Sequence, residues 1–332
     1  MNYIVLNPQF PSNYYYFYEK LKEKNINILA IGDIEYFQLK PELRYLLTEY
    51  YKVNSLENYD DILRAIGFFI HKYGRIDYIN SLNSKFLLKE ANLRTDFNIK
   101  GIKPEIFNLL NNLDIILELQ SFSNISVDNF RDFYSSFNIP SLPLNEIKDI
   151  YITTSIISDE NKLFNTFTFH IYRNNNSYIV KIEEFQENLF KSIEYFVENF
   201  ELKNNFISII SVKDSSRNDL VVKVVPTLVS AIFPDMINYA CENDIYHCWA
   251  NLISKEEIEL FTIKFPTCLV SRNNSYVYKN SNEKIIEKYQ KNICISGNFK
   301  DICSQPFIQD YSFLIKAETE EELKEIVAFI IE

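Results

Sequence analysis

Five glycines in 332 residues set the tightest limit on what this chain can build. They are Gly32, Gly67, Gly74, Gly101 and Gly297, and no two are close together. A loop that cradles a phosphate through its backbone N–H groups needs clustered glycines, because Cβ atoms hold the anion away. The first strand candidate, Ile4-Val5-Leu6, runs into Asn7-Pro8-Gln9-Phe10-Pro11. A dinucleotide-binding turn would carry G-x-G-x-x-G there, so no such site is expected.

The first hundred residues nevertheless alternate strand and helix. Ser12 is placed to cap a helix with Tyr14, Phe17, Tyr18 and Leu21 on one face. Ile28-Leu29-Ala30-Ile31 reads as a second strand closed by Gly32-Asp33. Ile62, Ile66, Phe69, Ile70 and Tyr73 then recur at helical spacing up to Gly74, a C-terminal stop. Ile76 to Ile79 gives another strand. This β-α-β order predicts a parallel sheet with helices on its faces. Ligands of such sheets bind outside the carboxyl ends of the strands. Those ends hold Asn7, Gln9, Asn13, Gly32, Asp33, Ser81 and Asn83, the residues to expect around a small-molecule pocket. The same residue types also serve as turn and cap chemistry.

From Lys103 to Pro143 the pattern is helical, broken at Ile139-Pro140-Ser141-Leu142-Pro143. Beyond it the period changes. Tyr151 to Ile157, Thr166 to Tyr172 and Tyr178 to Ile182 read as strands, with Asn174 to Ser177 as a hairpin turn. A helix carrying Leu189, Ile193, Phe196, Val197 and Phe200 follows. Strands at Phe206 to Val212 and Leu220 to Val225 flank the polar turn Asp214 to Asn218. The chain ends on a helix capped by Thr319 with Glu320-Glu321-Glu322 in its first turn, where the dipole favours acids.

Charge narrows the function. A net charge of -11, with lysines scattered among acids, lacks the clustered basic patch that nucleic acid requires. No apolar run approaches the ~20 residues needed to span a membrane, and Met1 to Leu6 is not a signal peptide. A soluble, cytoplasmic protein is the expectation. Five cysteines without Cys-x-x-Cys spacing fit free, buried thiols. His247-Cys248, the one adjacent soft-ligand pair, is read as helix neighbours, and no metal site is expected there.

Several stretches resemble the carboxylate–amine ligase-like group of the ATP-grasp family. The match runs through Pro8, Phe10, Pro11, Asn13 and Tyr14, then Asn27 to Asp33, Leu47 to Tyr51, Phe69 to Asp77 and Leu93 to Gly101. A second anchor is Asp235 to Ala240 with Asp244-Ile245-Tyr246 and Trp249-Ala250; Ile295-Ser296-Gly297 matches more weakly. The resemblance implies a pre-ATP-grasp parallel α/β domain, residues 1–102, followed by an ATP-grasp-like α+β region, 103–332. It also implies ATP-driven activation of a carboxylate for attack by an amine. That chemistry relies on cations at the phosphates and carboxylates on the metal, since charge and position stabilise the transferring phosphoryl group.

The sequence departs from the family at those points. Asn108 to Gln120 contains no lysine where phosphate-binding lysines follow in the family. The chain then reaches its second α+β portion early, as if the first ATP-clamping subdomain were reduced. Aligned on Asp235-Met236, the positions of the family's glutamate, asparagine and arginine hold Lys223, Val225 and Thr227, and an earlier metal-binding glutamate falls on Ile209 or Ile210. An ammonium about 4 Å from a Mg²⁺ position costs several kcal/mol at intermediate dielectric. Strand periodicity puts Val221, Lys223 and Val225 on one face and Val222 and Val224 on the other.

The leading expectation is therefore a pseudoenzyme without catalytic residues, metal or cofactor. It would act as a structural or regulatory partner, bound to an active ATP-grasp paralogue, to itself or to a retained small ligand. The alternative is a divergent ligase that still binds ATP and Mg²⁺, with cations from His71, Lys72, Arg94 and Lys181 and carboxylates from Glu183-Glu184.

Overall fold

The computed structural model describes all residues except 82, 111, 113–148, 159, 161, 184–186, 201 and 214–218. Most of Asn108 to Gln120, the break at Ile139 to Pro143, Glu184 and the turn Asp214 to Asn218 lie outside the described residues.

Strands β1 (Asn2–Leu6), β2 (Asn27–Gly32), β3 (Glu49–Lys52) and β4 (Tyr78–Asn80) form a 4-stranded sheet in the order β3-β2-β1-β4. Every pairing in it is parallel. Successive side chains in β1 and β2 take opposite faces, so both faces need cover. Tyr3, Val5 and Ile28 pack with Phe17, Tyr18 and Leu21 of α1 (Tyr15–Glu23) and Leu43 of α2 (Pro41–Leu46). Ile4, Leu6, Leu29 and Ile31 pack instead with Ile62, Ile66 and Phe69 of α3 (Tyr59–Tyr73) and Leu93 of α4 (Leu87–Asp96). The expected three layers and parallel centre are present.

Two local expectations change. Ser12 does not cap α1: its hydroxyl donates to Asp301 at 2.8 Å, and its amide donates to the Asp301 carbonyl at 3.1 Å. A distant partner has taken the group that the helix terminus would have used. Strand β3 and helix α2 had no periodic signal, because β3 is an edge of four residues that are at most half-buried.

The second sheet has 8 strands in the order β11-β12-β10-β7-β6-β5-β8-β9. Its first five are β5 (Asp149–Ile157), β6 (Leu163–Asn174), β7 (Ser177–Glu183), β8 (Asn205–Lys213) and β9 (Asp219–Val225). The others are β10 (Thr267–Arg272), β11 (Ile293–Gly297) and β12 (Tyr311–Lys316), and all pairings are antiparallel. Asn175 turns the β6–β7 hairpin at φ 52°, a conformation asparagine tolerates well.

One face of this sheet, with Ile152, Phe169, Val180 and Ile210, packs on α7 (Phe233–Cys241) and α8 (Ile245–Ser254). The same cluster continues into α1, whose Phe17 stacks on Trp249 with centroids 4.3 Å apart. A shared apolar core thus joins the two sheets. The opposite face carries two separate clusters. Leu110 of α5 (Pro104–Leu110) and Phe196 of α6 (Glu187–Asn199) cover Ile207, Ile209, Val221 and Val224. Ile285 of α9 (Asn282–Lys288) and Ile326 of α10 (Glu320–Ile331) cover Ile179, Val270 and Phe313. Thr319 caps α10 as expected, accepting from the Glu322 amide at 3.2 Å.

Candidate functional site

The β8–β9 hairpin holds Ile210, Lys223 and Val225, where the resemblance led metal ligands to be expected. Ile210 lies opposite Lys223, and Ser208 lies opposite Val225. The register shifts between Ile210 and Ser211, leaving Val222 as an extra residue. This bulge overturns the simple alternation. Val221 joins Val224 beneath α5 and α6, while Val222 and Val225 enter the core on the other side. A bulge resets the period of two, so the face of Val221 cannot be counted from Lys223. Lys223 and Val225 do share a face, that of Ile210. Lys223 is half-buried, and desolvation pulls its pKa below the usual lysine value. The Ser208 hydroxyl donates to the Thr227 carbonyl at 2.7 Å and accepts from Thr154 at 2.9 Å.

The strand-end residues separate into three settings. Asn7 turns the chain at φ 59°, its amide donating to the Ile31 carbonyl at 2.8 Å. Gly32 lies against Tyr50, whose hydroxyl would be 2.5 Å from an added Cβ, and Asp33 is exposed beside it. The buried Ser81 directs its amide, at 2.7 Å, and its hydroxyl at the Glu90 carboxylate; its hydroxyl oxygen accepts from the Asn83 amide at 3.1 Å. Asn13 belongs to a third setting, the joint between the two sheets. Its Nδ2 lies 2.8 Å from the Ala231 carbonyl, 2.8 Å from Asp235 Oδ2 and 3.1 Å from the Tyr246 hydroxyl. Tyr246 in turn donates to Asp235 Oδ1 at 2.8 Å. Burial pushes the Asp235 carboxyl up to about 6, with the bonds from Asn13 and Tyr246 pulling the other way. Gln9 is half-buried nearby in sequence, its Oε1 without a hydrogen-bond donor among the described residues.

The cations considered for a divergent ligase are dispersed. Lys72 pairs with Glu49 and Lys181 with Glu320, each at 2.7 Å. Glu183 pairs with His170, whose other ring nitrogen meets Asp149, both at 2.9 Å. The His170 partner holds the Glu183 carboxyl below its usual range. His170 and Asp149 were not singled out by sequence; only the β5–β6–β7 register brings them together.

A cavity of about 480 Å³ opens between the sheets, and none of the strand-end residues above lines it. Arg94, Lys100, Lys203 and Lys255 line it, together with Tyr78 and Trp249. Arg94 is fixed: its guanidinium donates to the carbonyls of Ile79 at 2.8 Å and Ile102 at 3.2 Å, and pairs with Glu90 at 2.8 Å. Gly101, at φ 118°, allows this approach; an added Cβ would sit 3.0 Å from Arg94 Cδ. Lys103, behind Arg94, donates to the Ile99 carbonyl at 2.7 Å. Burial and then the Arg94 charge lower its pKa. Of the four lining cations, sequence reasoning had singled out Arg94 alone.

No protein-family model matches the sequence, and no curated protein matches it. Solved structures do. An L-amino acid ligase from Bacillus licheniformis superposes with a TM-score of 0.69 over 98% of this chain and 96% of that chain, at 8% identity. The N5-carboxyaminoimidazole synthetase from Staphylococcus aureus, complexed with ADP, gives 0.66 over 100% and 97%, at 10% identity. A phosphoribosylglycinamide synthetase from Anaerococcus prevotii gives 0.62 over 99% and 97%, also at 10%. The chain has the ATP-grasp fold.

The family that the sequence resembles uses ATP and Mg²⁺, so the donor set decides whether the metal fits here. Mg²⁺ takes oxygen ligands in near-octahedral array. Ile210, Lys223 and Val225 offer two aliphatic groups and an ammonium on one strand face. These residues do not fit a divalent cation. Among the described residues no helix is long and apolar enough to cross a membrane.

Proposed function

We propose that this chain is an ATP-grasp homologue that has lost ATP-dependent ligation and works by binding. The observation that carries this reading is the pairing of Ile210 with Lys223, with Val225 on the same face. A divalent ion about 4 Å from an ammonium meets about 8 kcal/mol of repulsion at an effective dielectric of 20. None of those three positions supplies a carboxylate to the ion. The structural neighbours include ligases that join carboxylates to amines, so the scaffold descends from that chemistry on this reading. The partner would be an intact ATP-grasp protein or a second copy of this chain, in the cytoplasm.

Equilibrium dialysis with labelled ATP and Mg²⁺ tests the proposal. The expected result is no saturable Mg²⁺-dependent binding below about 1 mM. A micromolar dissociation constant that disappears with EDTA would overturn it in favour of a divergent ligase.

A further inference from the structure

We infer that the cavity between the two sheets is a binding site for a small phosphate-bearing ligand, held without a metal ion. The charge distribution carries the inference. The chain has a net charge of -11, yet four cations, Arg94, Lys100, Lys203 and Lys255, line one cavity with no carboxylate lining it among the described residues. Elsewhere many of the lysines sit against acids, as Lys20, Lys24, Lys52, Lys72 and Lys181 do. Lys100 and Lys203 are exposed and have no ion pair among the described residues. Glu90 already balances Arg94, but Lys100 and Lys203, brought in from separate stretches of chain, add positive charge that an anion between them would neutralise.

The geometry supplies the rest. Arg94 is held by two carbonyls and Glu90, so its charge is preorganised at the wall, while the exposed lysines can swing onto an incoming anion. Lys103 adds positive potential behind Arg94. A volume of about 480 Å³ lies in the range of small-molecule sites and far exceeds one phosphate group. Tyr78 and Trp249 in the lining give an organic remainder an aromatic surface. A phosphate ester therefore fits the cavity better than the bare ion. The lining comes from β1, β4, α4, the segment after it, the start of β8 and the end of α8; it uses neither Lys223 nor Val225. The inference thus stands apart from the proposed loss of ligation.

Isothermal titration of the full chain in EDTA, with inorganic phosphate and with phenyl phosphate, tests the site. Phenyl phosphate should bind saturably with a dissociation constant of about 1 mM or tighter, and more tightly than inorganic phosphate. Raising the ionic strength should weaken both. Charge reversal of the two exposed lysines, Lys100→Glu with Lys203→Glu, should weaken binding by about tenfold or more while leaving the urea midpoint unchanged. Equal affinity for the two probes would assign the site to a free phosphate ion. Failure of both probes to saturate the wild type, or unaltered affinity in the folded double variant, would overturn the inference. Because the titration contains no Mg²⁺, Mg²⁺-dependent ATP binding would strike the proposed function and leave this result untouched.

Discussion

Replacing Asp235 by Asn should reshape the pH dependence of stability. Asp235 sits in the first turn of α7, nearly fully buried, between Asn13 from the parallel-sheet side and Tyr246 from α8. The helix N-terminus and two hydrogen-bond donors favour the carboxylate, but desolvation outweighs the donors and raises its pKa from 3.8 to about 6. Among the described residues Asn13 Oδ1 is also buried without a donor, so the joint holds more acceptors than donors. A group whose folded pKa is raised contributes stability that is complete below the unfolded value, here near 3.8, and is lost as pH climbs through about 6. The full span corresponds to about 3 kcal/mol, of which about 2 kcal/mol falls between pH 4.5 and 7.5. The assay is urea unfolding of wild type and Asp235→Asn across that range. The difference in stability should shift by about 2 kcal/mol in favour of the variant as pH rises. Taking the difference cancels the carboxylates with depressed pKa, such as Glu183, whose contribution runs the other way. A difference flat in pH would refute the reasoning, showing that Asn13 and Tyr246 keep the carboxylate ionised throughout.

Placing a carboxylate and an amide at the proposed metal position, by Lys223→Glu with Val225→Asn, should not yield micromolar Mg²⁺-ATP affinity in dialysis, because Ile210 opposite remains aliphatic. Micromolar affinity in that variant would show an otherwise intact clamp. Gly101→Ala should destabilise the fold by about 1–3 kcal/mol in urea unfolding, since φ is 118° and the new Cβ presses on Arg94. An unchanged midpoint would mean that the segment after α4 relaxes freely.

The sequence by itself determined the element types. Ile4-Val5-Leu6, Ile28 to Ile31 and the stop at Gly74 dictate strand, strand and helix end through neighbours a few residues apart, and their order implies a parallel sheet. The change to a period of two after Tyr151 and the turn at Asn174 to Ser177 likewise announce the antiparallel strands. The charge of Lys223 in a β-strand was also legible, because it needs no geometry, whereas its half-burial opposite Ile210 did need it. Everything that depends on contact between distant segments was decided by tertiary structure. Ser12 is drawn from its helix by Asp301, and Asn13, read as a pocket residue, became half of a buried joint with Asp235. A bulge at Val222 moved Val221 to the other face. Lys100, Lys203 and Lys255 meet Arg94 only because a common apolar core clamps the two sheets together. Local pattern fixes which face a side chain can offer; packing between segments far apart in sequence fixes what that face meets.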